Sequence, residues 1–309
     1  MAKISVIGAA GRVGSTIALC LALSKIADVV VVDNDERKAK GISLDLQQSM
    51  FVYGNFTQII SGNYEDTADS DICVIAAGLP RKPGMTRDEL LEVNAKIVKE
   101  VCEKIARYSP NAIIIVVTNP LDAMCYVAAE ASKFPKSRVV GMAGILDTAR
   151  FKAFIAEELK VDAKGIDAFI LGSHDNDMIP IISHAFVNRR PLTEILHEEK
   201  IAKIIERTKN AGAEIVVLSG GSALAPATAV SQMVDAILND RKWILPCSAY
   251  VSGENGASGI FIGVPVILGK DGVERIIELK LSEEERKGFE KAADSIKKQI
   301  EFLRKDLNK

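Results

Sequence analysis

A repeated alternation of short apolar runs and helical stretches dominates the first half of this chain of 309 residues. Each run is rich in β-branched residues and ends at a turn, and a segment with helical periodicity follows, an order that predicts parallel strands joined by helices. Nearly all residues of the runs are apolar, as expected of strands covered on both faces. The first half is therefore predicted to be a doubly wound parallel sheet of the α/β class. The runs are Ile4–Ile7, Val29–Val32, Ile72–Ile75, Ile113–Val117 and Val139–Val140.

The pattern changes after about residue 145, where long amphipathic stretches mix with a few strand-like runs. A chain of roughly 300 residues has the size at which one core tends to divide. We therefore predict two domains, residues 1–145 and residues 146–309, of which the second is α+β. Its predicted helices are Thr148–Leu159, Thr193–Val217, Pro226–Leu238 and Ser282–Leu303, and its predicted strands are Ile260–Leu268 and Ile276–Leu281.

The charges are nearly balanced, with 39 Lys and Arg against 41 Asp and Glu. No stretch concentrates basic residues, so no field would hold a nucleic acid. Five widely spaced cysteines form no CxxC pair and indicate buried thiols in a reducing compartment, without disulfides or zinc. The uncharged runs at 13–24 and 215–234 fit a signal peptide or a spanning helix poorly, because glycines precede the first and Gly and Pro interrupt the second. We expect a soluble, cytoplasmic protein with no metal, nucleic-acid or membrane partner.

A glycine-rich turn joins the first predicted strand to a helix. Gly8, Gly11 and Gly14 follow a GxxGxxG spacing, in which glycines permit a tight turn and let the backbone approach a pyrophosphate at the positive end of the helix. Many proteins have such a turn without a ligand, so the pattern on its own leaves a purely structural turn open.

Asp33 favours a dinucleotide site, because it ends the second predicted strand, 19 residues after Gly14. A carboxylate at that place accepts hydrogen bonds from ribose hydroxyls and repels a 2′-phosphate, which favours NAD over NADP. The segment is polar in any case, so a simple loop carboxylate is the alternative. Arg37 and Lys38 nearby leave NADP open.

Three histidines occur in the chain, and imidazole titrates near neutral pH without special surroundings. His197 lies in a charged segment typical of a solvated helix face, and His184 follows an apolar run where a core or edge histidine is expected. His174 stands in a small, polar turn directly after the apolar run 168–171. Since loops after strands often carry functional side chains, His174 is the candidate proton carrier.

A loop rich in glycine and proline follows the third predicted strand and carries Arg81 and Arg87. Ligands of open α/β sheets bind at the carboxyl ends of the strands. A hinged loop with two guanidinium groups suits an anionic substrate that must be enclosed. For an isolated arginine, a solvated basic loop is the ordinary alternative.

These motifs, in this order, resemble those of the lactate/malate dehydrogenase family, and in particular its lactate-dehydrogenase-like type. Several spaced motifs in the right order are more specific than any single one. The resemblance implies an N-terminal Rossmann-type NAD-binding domain, a C-terminal catalytic domain, and reversible NAD-dependent oxidation of (S)-malate to oxaloacetate, a step of the tricarboxylic acid cycle. The matching segments are Gly8–Gly14, Ala77–Gly78, Arg81–Arg87, Val117–Pro120, Asp147–Arg150, Gly172–His174 and Ala225–Ala227.

The resemblance also implies roles for individual side chains. His174 would take the hydroxyl proton of malate as hydride leaves C2, and Asp147 would orient the imidazole and stabilise its protonated form. Arg150, one helical turn along, would bind the C1 carboxylate through two hydrogen bonds. Arg87 would polarise the ketone of oxaloacetate. Asn119 would hydrogen-bond near the reacting oxygen, and its bond to the following proline is expected to be cis.

The NAD site implied by the resemblance draws on several segments, from the glycine turn to the loops after the later strands of the first half. Its residues are Gly8, Gly11, Arg12, Val13, Gly14, Asp33, Ala77, Gly78, Asn94, Thr118 and Asn119.

Arg81 decides between substrates in this interpretation. In the family an arginine at this position pairs with the second carboxylate of malate, whereas lactate dehydrogenases carry glutamine. A buried charge without its partner is costly, so one residue separates the two substrates. The expected substrates are therefore malate and oxaloacetate. The alternatives are a lactate or other 2-hydroxyacid dehydrogenase and a catalytically inactive NAD-binding or sensing protein, since fold does not dictate function.

Two segments depart from the family pattern. Asp175 stands where relatives have glycine, and its carboxylate either raises the pKa of the neighbouring His174 or points to solvent, of which we expect the second. A backbone angle suited to glycine would strain the turn there. The segment Ser219–Ser222 stands where relatives often have lysine and threonine, and Ser222 offers a hydroxyl to the pocket.

The oligomeric state follows from the resemblance alone, because apolar stripes on helices face a core or a partner equally well. The resemblance implies a homo-oligomer, and we expect a homotetramer rather than a homodimer.

Overall fold

The structure is a computed structural model that describes residues 1–80 and 84–307, with side chains through residue 304. The strands are β1 (Ala2–Ile7), β2 (Ala27–Val32), β3 (Ile59–Ser61), β4 (Ile72–Ile75), β5 (Ile113–Val116), β6 (Val139–Gly141), β7 (Ile166–Asp167), β8 (Ile170–Leu171), β9 (Ile179–Pro180), β10 (Phe186–Val187), β11 (Arg190–Pro191), β12 (Trp243–Ser252), β13 (Ser258–Gly269) and β14 (Gly272–Ile276). The helices are α1 (Arg12–Ser24), α2 (Glu36–Val52), α3 (Arg87–Tyr108), α4 (Leu121–Ser132), α5 (Gly144–Leu159), α6 (Leu192–Ile195), α7 (Glu198–Ser219), α8 (Leu224–Leu238) and α9 (Glu283–Leu307).

Six parallel strands form the framework, in the order β3-β2-β1-β4-β5-β6. Every residue of β4 and β5 is buried, which explains why these runs are continuously apolar in the sequence. The order reverses between β1 and β4, and such a reversal opens a crevice outside the carboxyl ends of the strands. The predicted doubly wound Rossmann-type half is confirmed.

The second half extends the same sheet. Strands β12, β13 and β14 are antiparallel and join β6 through the Ser248 and Gly141 pair, giving a sheet of nine strands within the described residues. Two smaller sheets, β8-β9 and β11-β10-β7, and helices α5 to α9 complete an α+β half. The sheet therefore runs across residue 145, and the division into two domains at that point stays a prediction.

Two predicted elements of the second half differ from the structure in more than their end residues. The helix predicted over Thr193–Val217 is divided into α6 and α7, because His197 is extended and Glu198 and Glu199 occupy the first turn of a new helix, where negative charge is favoured. The strand predicted over Ile276–Leu281 is wrong beyond its first residue. Strand β14 instead ends at Ile276, after which the Ile277 N–H donates to the Pro265 carbonyl and the chain leaves the sheet.

The core spans both halves of the chain, since the largest cluster of buried apolar side chains runs from β1 to α9. A second cluster lies between α5, α7 and the small sheet of β7 and β10. Four cysteines are buried and Cys20 is half-buried, all five as free thiols. Within the described ranges, no helix is long and apolar enough to cross a membrane.

Candidate active site

A cleft of about 640 Å³ lies at the carboxyl ends of β1, β2 and β4. It sits where the strand order reverses, and its volume falls in the range of cofactor and ligand sites. Its walls are the turn after β1, the end of β2 with Asp33, and the segment Ala76–Leu79 after β4.

The glycine turn is shaped by close backbone approach. A Cβ on Gly8 would lie 2.4 Å from the backbone nitrogen of Ala77, and φ at Gly8 is +90°. A Cβ on Gly14 would lie 2.2 Å from the Gly8 carbonyl oxygen. A side chain on Gly8 would push the turn away from the segment after β4, and one on Gly14 would push α1 away from the turn, so the two glycines keep the positive end of α1 at the cleft.

Asp33 lies at the mouth of the cleft and fixes the same turn. Its Oδ2 accepts a hydrogen bond from the Ala10 N–H at 2.8 Å, and its Oδ1 accepts one from the Asp35 N–H at 3.0 Å. Each carboxylate oxygen has a further lone pair, so Asp33 retains capacity for ligand hydroxyls.

Asn94 and Thr118 hold the loops beside the cleft together. The Asn94 side chain accepts from the Leu79 N–H at 2.8 Å and donates to the carbonyls of Leu79 at 3.1 Å and Asn119 at 2.7 Å. The Thr118 hydroxyl donates to the Ala77 carbonyl at 2.7 Å. Both side chains are buried, and the structure places them behind the loops rather than on the cleft surface. The bond from Asn119 to the following proline is cis, as predicted.

Three of the predicted side chains meet in one buried cluster. The His174 Nδ1 lies 2.6 Å from Asp147 Oδ2, and the Arg150 Nη1 lies 3.2 Å from Asp147 Oδ1. The Asp147 side chain is 2% exposed, and those of His174 and Arg150 are 13% and 14% exposed. The Arg150 Nε is buried without a hydrogen-bond partner among the described residues. One carboxylate thus orients an imidazole and a guanidinium together.

The surroundings of His174 favour its charged form. Burial lowers the pKa of the imidazole, but the charge and hydrogen bond of Asp147, and then the charge of Asp122, outweigh burial and raise the pKa above its ordinary value. The Arg150 charge acts in the opposite direction. A histidine with a raised pKa still carries its proton when an unperturbed one has begun to lose it.

The turn that carries His174 is fixed from two sides. Gly172 exchanges backbone hydrogen bonds with Gly263 of β13, at 2.9 and 2.8 Å. Asp122, in the first turn of α4, accepts a hydrogen bond from the His174 N–H at 2.9 Å. Sequence reasoning missed Asp122. The signal that points to it is a single carboxylate in an otherwise apolar stretch directly after the Val117–Pro120 motif.

The Asp175 carboxylate neither accounts for the raised pKa of His174 nor simply points to solvent. Its Oδ1 accepts hydrogen bonds from the Ser173 hydroxyl at 2.6 Å and the Asp177 N–H at 2.8 Å, so it caps its own turn. Asp175 is not among the residues with positive φ, and the raised pKa of His174 comes from Asp147 and Asp122 instead. The carboxylate therefore stabilises the turn without a left-handed backbone angle.

Of the other arginines expected at the substrate and the cofactor, the structure describes Arg87 and Arg12. Arg81 lies outside the described residues. Arg87 is exposed at the start of α3, after the capping residue Thr86. The Arg12 Nη1 donates to the Ser219 carbonyl at 2.5 Å, joining the start of α1 to the end of α7. Among the described residues, no group of three His, Cys, Asp or Glu side chains could hold a metal ion.

Comparison with known proteins gives matches over both halves of the chain. A family model described as lactate/malate dehydrogenase, NAD binding domain, matches residues 2–141, and one described as lactate/malate dehydrogenase, alpha/beta C-terminal domain, matches residues 145–306. The malate dehydrogenase of Bacillus israeli is 48% identical over 306 residues, which are 97% of this chain and 98% of that protein. The malate dehydrogenase of Bacillus subtilis (strain 168) is 48% identical over 307 residues, with the same coverage of 97% and 98%.

Solved structures agree with these matches. A crystal structure of Cryptosporidium parvum malate dehydrogenase superposes with a TM-score of 0.95 at 40% identity, covering 98% of this chain and 99% of that one. The lactate dehydrogenase of the same organism, complexed with lactic acid and β-nicotinamide adenine dinucleotide, superposes with a TM-score of 0.94 at 37% identity, covering 98% of each chain. The fold, the cleft and the matched domains define an NAD-dependent oxidoreductase. Within that class, the chain belongs to the lactate/malate dehydrogenase family.

The contact between Asp147 and His174 is expected to set the proton affinity of the imidazole. Asp147→Asn keeps the shape of the side chain and removes its charge, so the pKa of His174 is expected to fall. Deuterium exchange at the imidazole Cε1, followed by mass spectrometry of peptides across a range of pH, measures this pKa. His184 and His197 are internal controls and keep their values. An unchanged value for His174 would show that Asp147 does not set its proton affinity.

Proposed function

We propose that the chain catalyses the reversible NAD-dependent oxidation of (S)-malate to oxaloacetate. The buried cluster of His174, Asp147 and Arg150 carries the proposal, because it combines a proton carrier with a cation for a substrate carboxylate. Relatives named malate dehydrogenase, at 48% identity over nearly the whole chain, support malate as the substrate. When bound, NAD supplies a nicotinamide ring that exchanges a hydride with C2 of the substrate.

In this proposal His174 is the acid and base of the reaction. Its Nδ1 is engaged by Asp147 at 2.6 Å, which leaves Nε2 to take the hydroxyl proton of malate or return it to the ketone oxygen of oxaloacetate. Because Asp147 raises the pKa of the imidazole, the pair stabilises the imidazolium that oxaloacetate reduction requires. Malate oxidation instead requires the neutral imidazole as the base, so a His174 pKa near the working pH serves both directions.

Arg150 is proposed to bind the C1 carboxylate of the substrate. Its guanidinium already contacts Asp147 through Nη1, and its buried Nε has no hydrogen-bond partner among the described residues. Buried donors without partners are uncommon, and a carboxylate accepts two parallel hydrogen bonds from a guanidinium. A substrate anion would therefore satisfy the donor that the chain leaves over.

The cleft suits NAD in shape and charge. Gly8 packs the turn against the segment after β4 and Gly14 packs it against α1, so a pyrophosphate would meet backbone N–H groups there. Asp33 would accept the ribose hydroxyls, and Asn94 would act through the loops it joins. The residues proposed to form the cofactor site, with Thr118 acting through the loops as Asn94 does, are Gly8, Gly11, Arg12, Val13, Gly14, Asp33, Ala77, Gly78, Asn94, Thr118 and Asn119.

Three further residues complete the proposed substrate site. Arg87 would polarise the ketone, and Asn119 would hydrogen-bond beside the reacting oxygen. Arg81 would pair with the second carboxylate of malate, a role that the sequence alone supports. We also propose that residues 1–145 bind the cofactor and that residues 146–309 supply His174, Asp147 and Arg150. The proposed setting is the tricarboxylic acid cycle in the cytoplasm.

Oxidation of NADH by the purified protein, with oxaloacetate and pyruvate compared at equal concentrations, tests the substrate assignment. Oxaloacetate is expected to react orders of magnitude faster. Arg81→Gln is expected to reduce kcat/KM for oxaloacetate by about 100-fold or more, because a substrate carboxylate loses its cationic partner, while the KM for NADH stays unchanged.

The matched control for this test is Arg190→Gln, a substitution of an exposed arginine that is expected to leave both rates unchanged. Faster reaction with pyruvate would make the chain a lactate dehydrogenase. If neither substrate reacts, the interpretation as an NAD-binding protein without catalytic activity replaces the proposal.

We further propose that the chain is a homotetramer. Two separate groups of large apolar side chains are exposed, and patches of this kind mark interfaces between subunits. A tetramer with two-fold symmetries needs two different self-complementary contacts, and these two groups are the surfaces proposed for them. The first group, near the end of α2, is Leu44, Phe51, Val52, Tyr53 and Phe56, and the second, from the end of α7 to the start of α8, is Val216, Val217, Leu218 and Leu224.

Sedimentation velocity tests this assembly. The unmodified protein is expected to sediment as a tetramer. Phe51→Asp and Val217→Asp are each expected to give dimers, because a charge placed in one contact leaves the other intact. Lys298→Asp, on the exposed face of α9, serves as the control. A monomer of the unmodified protein at micromolar concentration contradicts the proposal.

A further inference from the structure

Asp122 is a buried carboxylate that the proposed chemistry does not use. It is 5% exposed and lies in the first turn of α4, where its neighbours in the helix are mostly apolar. Burial of an ionised carboxylate is costly unless hydrogen bonds or a cation stabilise it. No ion pair of the described residues includes Asp122, so its hydrogen bonds, the nearby charge of His174 and the positive end of α4 stabilise it.

The two oxygens of Asp122 reach two distant segments. Oδ2 accepts the His174 N–H at 2.9 Å, and Oδ1 accepts the Ser248 hydroxyl at 2.6 Å. Burial raises the pKa of Asp122 to about 6, although both hydrogen bonds lower it. The carboxylate is thus ionised at neutral pH and joins α4 to the turn after β8 and to β12.

His174 is consequently held at two points by two different carboxylates. Asp147 fixes its ring through Nδ1, and Asp122 fixes its main chain through the backbone N–H. The other charged groups that face this pair are Arg150 from α5 and Asp175 from the turn itself. Asp122 also lies only three residues after Asn119, so the loop that carries Asn119 and the turn that carries His174 share one anchor.

We propose that Asp122 is a positioning residue for the proton transfer by His174: it fixes the histidine main chain against α4 and keeps the imidazole in register with the loop that carries Asn119. The inference rests on the proposed acid and base role of His174. Asp122 touches neither substrate nor cofactor in this account. A misplacement of the imidazole by about 1 Å lowers the rate of the chemical step by on the order of 100-fold.

Three substitutions separate the contributions of Asp122. Asp122→Asn keeps an oxygen for the His174 N–H and offers a donor to the Ser248 oxygen, so it removes the charge and retains the position. Asp122→Ala removes both contacts. Ser248→Ala is the matched control, because it removes the second contact of the carboxylate and leaves its contact with His174.

The measurements are kcat and KM for NADH and oxaloacetate, the melting temperature, and the pKa of His174 from Cε1 deuterium exchange. Asp122→Asn is expected to keep kcat within a few-fold and to lower the pKa of His174, while His184 and His197 are unchanged. Asp122→Ala is expected to lower kcat by about 10-fold to 100-fold with the KM for NADH unchanged. Ser248→Ala is expected to lower the melting temperature and to keep kcat within a few-fold of the unmodified protein.

A purely structural role gives a different set of results. The inference is overturned if Asp122→Asn, which retains the position, lowers kcat by 10-fold or more, or if Ser248→Ala lowers kcat as much as Asp122→Ala does. If Asp122→Ala fails to fold, Asp122→Asn still decides, since it preserves both contacts. Failure of the proposed function is distinguishable, because the unmodified protein would then not reduce oxaloacetate, whereas the exchange measurement on His174 needs no turnover.

Discussion

The buried Asp147 carboxylate is the interaction on which the rest of the site depends. Its Oδ2 lies 2.6 Å from His174 and its Oδ1 lies 3.2 Å from Arg150, so a side chain that is 2% exposed has two cationic partners. A buried anion with one partner removed is strongly destabilised, which ties the orientations of the imidazole and the guanidinium to each other. Its place in the first turn of α5 adds the favourable field of the helix N-terminus.

The fold places this cluster beside the cofactor cleft by continuing one sheet through both halves. The reversal of strand order between β1 and β4 opens the cleft, and β12 and β13 extend the sheet on the far side of β6. The Gly172 and Gly263 pair then fixes the turn with His174 to β13, while Asp122 fixes it to α4. The proton carrier is therefore held by elements from both halves of the chain.

Much of this arrangement is readable from the sequence, for physical reasons that differ between elements. Strands buried on both faces are continuously apolar, so β1, β2, β4 and β5 stand out. The division between α6 and α7 is not visible in the sequence, because both segments share helical periodicity and the extended His197 carries no distinct pattern. Strand β12 is hard to recognise in the sequence, since Pro246 and Ser248 interrupt its apolar run.

Some residues of the site are likewise readable from the sequence and others are not. His174, Asp147 and Arg150 lie in short motifs with ordered spacing, so the sequence points to each of them. Asp122 depends on contacts with an amide 52 residues away and a hydroxyl 126 residues away, and no local pattern encodes such pairs. The hydrogen bonds of Asp175 are local, but the choice between capping its turn and facing solvent depends on geometry that the sequence leaves open.

The central claim is that His174, with its pKa raised by Asp147, exchanges the proton that accompanies hydride transfer. Single-turnover rates measured in both directions across pH, in the unmodified protein and in His174→Asn, test it most directly. The rate of oxaloacetate reduction is expected to fall as pH rises through the raised pKa of His174, and the rate of malate oxidation is expected to rise through the same pKa. His174→Asn is expected to lose both reactions while still binding NADH. Rates in His174→Asn equal to those of the unmodified protein, or rates that do not depend on pH in either direction, would contradict it.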